Sequence, residues 1–78
     1  MKRYISSAIK FHKSGIGCLK TDSGYMIQPR GGYGGTRWYD IYNPDGERIQ
    51  RNVTGLKYAK EMVADIIEGR IDESGREI

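Results

Sequence analysis

The sequence predicts an α+β domain, an antiparallel meander of three to five strands with one C-terminal helix packed on one face. Two turn signals, at residues 22–24 and 44–46, each lie between runs of strand-forming residues and end in glycine. Apolar residues then recur at helical spacing over about 54–68. Residues 69–78 form a charged tail, and no linker divides the 78 residues, so we expect a single small domain.

The clearest element is the hairpin around residues 43–46 (Asn-Pro-Asp-Gly). Proline presets φ for the second position of a type I turn, and Gly46 suits the left-handed position that follows. If Asn43 pairs with Glu47, the partners are Tyr42–Arg48, Ile41–Ile49, Asp40–Gln50, Tyr39–Arg51 and Trp38–Asn52. One face then carries Ile41, Ile49 and Tyr39, and the other carries Trp38, Tyr42, Arg48, Asp40, Gln50 and Asn52. The first face is typical of a core and the second of a surface that binds something.

The first hairpin, around residues 22–24, follows the same logic. Pairing Thr21 with Tyr25 puts Leu19 opposite Ile27, and the residues between them, Lys20 and Met26, on the other face. Upstream, residues 4–11 alternate loosely and favour an opening strand, with a short helix as the alternative. The residues that follow, from His12, are expected to end it.

Residues 29–36 contain four glycines around Tyr33 and predict a mobile or unusually shaped loop between the hairpins. The segment lacks the Gly-Lys-Ser/Thr of a phosphate-binding loop. Its Arg-Gly-Gly-Tyr-Gly-Gly composition is also typical of nucleic-acid-binding low-complexity segments, but a flexible connector is the preferred interpretation. The helix that ends the fold is expected to start at Thr54 as N-cap and to stop at Gly69. Its apolar stripe comprises Leu56, Ala59, Val63, Ile66 and Ile67.

Composition restricts the classes of function. Leu, Ile, Val and Phe total 15 residues, so the core is thin, and a homodimer or a bound partner could supplement it. One cysteine excludes an intramolecular disulfide and suits a reducing compartment. With no membrane-length apolar run, we expect a cytoplasmic protein and no membrane partner. Residues 1–60 carry eleven Lys and Arg against four acids, whereas residues 61–78 carry two against six. This asymmetry indicates either polyanion binding or simple neutralisation between the two halves.

Catalysis is not expected. His12 and Cys18 are the sole histidine and cysteine, and nothing in the sequence supplies an orienting third group. Neither their number nor their spacing fits a metal site, and no cofactor motif is present. The prediction is therefore a non-catalytic binding protein without metal or cofactor.

Trp38 and Tyr42 lie on one side of a strand with Arg48 across from Tyr42, a combination typical of protein-binding hot spots and of nucleic-acid contacts. The alternative is that Trp38 belongs to the core. The residues predicted to contact a partner or a nucleic acid are Arg30, Tyr33, Arg37, Trp38, Tyr42, Arg48 and Gln50.

The run Trp38-Tyr39-x-Ile41-x-x-x-Asp45-Gly46-x-x-Ile49, followed by a helix with Lys57, Ala59 and Lys60, resembles the arm-type DNA-binding domains of phage and transposon integrases. That resemblance covers about half the chain. It implies that a sheet enters the DNA major groove and that Arg37, Trp38, Tyr42, Arg48 and Gln50 make the contacts. No catalytic domain follows here, and we expect a complete small reading frame.

In general character the chain is similar to small phage-encoded inhibitors such as anti-CRISPR proteins. That similarity implies a location in the cytoplasm of a host bacterial cell. It also implies that the partner is a host nucleic-acid-handling protein, such as a nucleic-acid-bound nuclease complex, which the protein inhibits. The alternative is a small module that binds DNA or RNA directly.

Overall fold

The computed structural model describes residues 9–78, except the side chain of Tyr33. One five-stranded antiparallel sheet runs as a meander in the order β1-β2-β3-β4-β5, and one helix packs against β4 and β5. The elements are β1 Phe11–Lys13, β2 Leu19–Thr21, β3 Met26–Tyr33, β4 Thr36–Tyr42, β5 Arg48–Thr54 and α1 Leu56–Ile67. The predicted α+β meander is confirmed.

The opening strand differs from its predicted bounds. Most of the predicted range 4–11 lies outside the described residues, and the observed β1 contains His12 and Lys13, which were expected to end the strand. Phe11 pairs with Thr21, so β1 adds to the first hairpin as an edge strand. A polar residue such as His12 is tolerated here because an edge strand has one face and one side open to solvent.

The first hairpin has the predicted register. Leu19 lies opposite Ile27 and Lys20 opposite Met26. Its turn is closed by the amide of Thr21, which donates to the carbonyl of Tyr25 at 2.9 Å. Alternation of aliphatic and polar residues was enough to fix this register because a slip of one residue would turn Ile27 out of the core.

The glycine-rich segment is a hairpin with one irregularity, between Pro29 and Gly31, so the prediction of a loop there was wrong. β3 continues to Tyr33, β4 starts at Thr36, and a two-residue turn joins them. Gly34 and Gly35 have φ of 58° and 87°, the positive values that a type I′ turn requires at both central positions. Two of the four glycines therefore form the tight turn, while Gly31 and Gly32 belong to β3 and pair with Trp38 and Arg37.

The second hairpin has its predicted turn but a different register. The side-chain oxygen of Asn43 accepts hydrogen bonds from the amides of Asp45 and Glu47 at 3.0 and 2.9 Å, which shapes the turn. Tyr42 faces Arg48 as predicted.

Further along, two irregularities shift the pairing so that Ile41 faces Gln50, Tyr39 faces Val53 and Trp38 faces Thr54. The predicted pairs Ile41–Ile49, Tyr39–Arg51 and Trp38–Asn52 were therefore wrong. An extra residue in one strand of an antiparallel pair forms a β-bulge. Asn52 adopts a positive φ of 57° at one of the bulges in β5.

The core lies between α1 and the sheet. Ile27, Ile41 and Val63 are fully buried, and Tyr39, Val53 and Ala59 complete the cluster. Burying an aliphatic side chain of this size contributes about 1.5–3 kcal/mol, so these few residues dominate the stability of so small a domain. The predicted core residue Ile49 packs against this cluster but is only partly buried.

The two ends of α1 differ in how well they were predicted. Thr54 belongs to β5, and Gly55 is the N-cap, with no side-chain capping bond. At the other end Gly69 has φ 81°, its amide donates to the Ile66 carbonyl, and the amide of Arg70 donates to the Asp65 carbonyl. That pair of bonds is a Schellman motif, so the predicted stop at Gly69 is confirmed.

The tail is attached to the sheet through Glu73. Its carboxylate accepts hydrogen bonds from the Tyr25 hydroxyl at 3.0 Å and from the Asn43 amide at 3.2 Å. Its carbonyl accepts from the side chain of Gln50 at 3.0 Å. Burial and the Glu73 carboxylate together raise the pKa of Tyr25. The tail therefore closes the helix side of the sheet near the Asn43 turn.

Candidate binding face

The open face is the side of the sheet that points away from α1. Along β4, Tyr39 and Ile41 are buried under the helix, so Trp38, Asp40 and Tyr42 alternate onto the opposite side. Trp38 and Tyr42 therefore point away from α1 as predicted, and Trp38 does not lie under the helix.

Neighbouring strands extend this face on both sides of β4. Met26 lies opposite Tyr42 and Gln28 lies opposite Asp40, and residues opposite each other in an antiparallel pair share a face. Lys20 joins them because it pairs with Met26, and Arg48 joins because it pairs with Tyr42.

Asp40 organises the centre of the open face. Its side chain is only 5% exposed, and one of its carboxylate oxygens accepts hydrogen bonds from Arg30 at 3.2 Å and Arg48 at 3.4 Å. The other oxygen accepts from the backbone amide of Asn52 at 3.2 Å, at the bulge in β5. Because both guanidinium groups bond to the same oxygen, they are held side by side.

The two arginines remain available to a ligand. Their side chains are 47% and 37% exposed, and each guanidinium donates only one of its five N–H groups to Asp40. Trp38 and Tyr42 flank them and are half-buried. A partner would therefore meet two arginines whose conformations are already restricted by Asp40, which reduces the entropy lost on binding.

The open face has an excess of positive charge. Lys20, Arg30 and Arg48 face solvent, whereas Asp40 is buried beneath the arginines. His12 extends the face through its pairing with Lys20, and its imidazole hydrogen bonds to Asp22 in the adjoining turn at 2.9 Å. Three of the cations in residues 1–60 therefore contribute to a positive surface on this side of the sheet.

Two of the predicted contact residues lie elsewhere. Arg37 precedes Trp38 on β4 and alternates to the helix side, and Gln50 lies opposite the buried Ile41, where its amide is bonded to Glu73. The predicted position of Gln50 on the open face was wrong because of the bulges in β5. Arg37 was named as a contact residue only through the resemblance, and its contact with a partner stays a prediction. Of Tyr33 only the backbone is described, opposite Thr36.

Sequence reasoning missed three members of the face, namely Lys20, Met26 and Gln28. The register of the first hairpin already put Lys20 opposite Met26. Interpreting the glycine pair as a turn would have joined that hairpin to β4 and brought Met26 opposite Tyr42. The sequence therefore allowed these three residues to be placed on the face, and they were missed because residues 29–36 were expected to form a loop.

No group of three or more His, Cys, Asp or Glu in residues 9–78 is placed to hold a metal ion. Among the same residues, no helix is long and apolar enough to cross a membrane.

Comparison of the chain with protein-family models, with curated proteins and with solved structures finds no match.

Proposed function

We propose that the protein is a non-catalytic binding protein, of phage or mobile-element type, that docks through its open face onto a host nucleic-acid-handling protein and inhibits it. One observation carries this proposal. Two half-exposed arginines are held side by side by a buried carboxylate, between Trp38 and Tyr42.

Trp, Tyr and Arg are the residues enriched at the energetic centres of protein interfaces. Their value there depends on rigidity, because each flexible side chain that becomes fixed costs about 0.5–1.5 kcal/mol on binding. Asp40 reduces this cost in advance for both Arg30 and Arg48.

The positive charge of the open face favours an anionic partner. A surface with exposed Lys20, Arg30 and Arg48 attracts anionic surfaces and is repelled by basic ones. A nuclease complex that carries its nucleic acid exposes phosphates beside protein, and a domain of this size bound there would block access by its bulk alone.

The test is affinity capture from bacterial lysate with three versions of the protein: wild type, Trp38→Ala and Tyr58→Ala. Tyr58 is an exposed aromatic residue on α1, 55% accessible, and serves as the matched control because it lies outside the open face. The proposal predicts a partner retained by wild type and Tyr58→Ala and lost by Trp38→Ala. Capture of the same proteins by all three would refute it.

The exposed cations favour a second candidate, a module that binds DNA or RNA directly through the same face. Fluorescence anisotropy with labelled DNA and RNA over a range of salt tests it. Direct binding predicts an affinity that falls linearly on a log–log plot, with a slope close to the number of phosphates contacted. Absence of binding at low salt would reject this candidate. In the capture experiment, a partner that is a protein should still be retained after the lysate is treated with nuclease.

A further inference from the structure

A small cavity of about 250 Å³ lies on the other side of the sheet from the open face, under the first turn of α1. Six of the residues that line it combine apolar walls with two cations: Lys13, Leu19, Pro29, Arg37, Tyr39 and Leu56. The strand register brings them together, since Lys13 pairs with Leu19 and Pro29 pairs with Tyr39.

The two cations have no counter-charge in the described part of the chain. Lys13 and Arg37 are both exposed, and neither forms an ion pair with any residue in the range 9–78. No acid lines the cavity, and the first turn of α1 contains none. The rim is therefore positive while Leu19 and Leu56 make the interior apolar.

Tyr39 adds a polar group to the cavity. The residue is 7% exposed, and its hydroxyl makes no hydrogen bond to another described residue. Within the same part of the chain no fully buried side-chain oxygen or nitrogen is left without a partner, so this hydroxyl is reached by solvent. Since Tyr39 lines the cavity, a ligand there can accept a hydrogen bond from this O–H group in place of solvent.

We propose that this cavity binds a small carboxylate with an apolar body, the size of one aromatic ring or a short chain. The carboxylate accepts hydrogen bonds from Arg37, Lys13 and the Tyr39 hydroxyl, and the apolar part packs on Leu19 and Leu56. The volume lies just below the 300–1,000 Å³ usual for drug-sized ligands, which sets the small size. The site is on the reverse side of the sheet and does not depend on the function proposed for the open face.

The test uses benzoate and its neutral isostere benzamide as probes, titrated into ¹⁵N-labelled protein at constant ionic strength. Benzoate should shift the amides of residues around the cavity in a saturable way and bind about tenfold more tightly than benzamide, the ratio that one charge-assisted hydrogen bond gives. Arg37→Gln and Tyr39→Phe should each reduce the affinity for benzoate. The matched control Arg51→Gln removes an exposed arginine from β5, away from the cavity, and should leave it unchanged.

Three results would overturn the proposal. They are equal binding of benzamide and benzoate, loss of affinity in Arg51→Gln as large as in Arg37→Gln, and benzoate shifts that fail to saturate or lie away from the cavity. None of these outcomes bears on capture through the open face, so the two proposals fail separately.

Discussion

Replacing Asp40 by Asn tests how far one buried carboxylate organises both the sheet and the open face. Asparagine has nearly the same shape, and its side-chain oxygen can still accept the hydrogen bond from the Asn52 amide. It cannot carry the charge that holds Arg30 and Arg48. The variant therefore removes an electrostatic contribution with little change in packing.

The expected loss is about 1–2 kcal/mol in the free energy of unfolding. A hydrogen bond to a charged group contributes about 1.5–3 kcal/mol where both partners are buried. Here the carboxylate is buried but the arginine side chains are 47% and 37% exposed, so solvent screening reduces each bond to about 0.5–1 kcal/mol. In a domain of this size the loss lowers Tm by about 4–16 °C.

Urea and thermal unfolding, followed by circular dichroism, measure this change. Asp45→Asn is the control, because Asp45 is an exposed acid in the turn before β5 and its loss should change stability by less than about 0.5 kcal/mol. If Asp40→Asn is as stable as Asp45→Asn, the carboxylate does not hold the arginines in solution and the account of the open face fails.

Three further predictions concern the turns and the tail. Gly35→Ala should destabilise by about 1 kcal/mol in urea unfolding because its φ is 87°, while Gly31→Ala, whose added Cβ also meets nothing within 4 Å, should cost less than half as much. Asn43→Ala should cost about 2–3 kcal/mol in the same assay, since a buried side chain that bonds two turn amides and two carboxylates is lost; a cost below 0.5 kcal/mol would contradict the turn geometry. Burial and Glu73 raise the pKa of Tyr25 in the folded protein. The contribution of Tyr25 to the free energy of unfolding is therefore fully present below the usual tyrosine pKa of about 10 and is lost as the pH rises through the raised pKa. Tyr25→Phe should therefore show a smaller fall in unfolding free energy between about pH 9 and pH 11 than wild type.

The parts of the fold set by local signals could be predicted from the sequence. Turn chemistry predicted the turns of the first and second hairpins, and the match of Leu19 with Ile27 predicted the register of the first. Alternation along β4 was enough to orient Trp38 and Tyr42, because turning them inward would expose Ile41. These are cases in which one local choice and the burial of the core agree.

The rest depends on contacts between distant residues. The bulges in β5 occur where the Asn52 amide donates a hydrogen bond to Asp40, twelve residues away in the sequence. No local pattern around Asn52 predicts them. They move Gln50 from the open face to the helix side. The predicted start of α1 was wrong for a related reason. Thr54 is the last residue of β5, where it pairs with Trp38, and so it does not cap the helix.

The most direct test of the central claim is the affinity of the captured partner for two charge-reversal variants, measured by isothermal titration. Arg48→Glu changes the centre of the open face, whereas Lys57→Glu makes the same change on the exposed side of α1. We predict that Arg48→Glu weakens binding at least about tenfold, the loss of one charge-assisted contact, and that Lys57→Glu changes it less than about threefold. Equal effects of the two variants would show that the partner binds another surface.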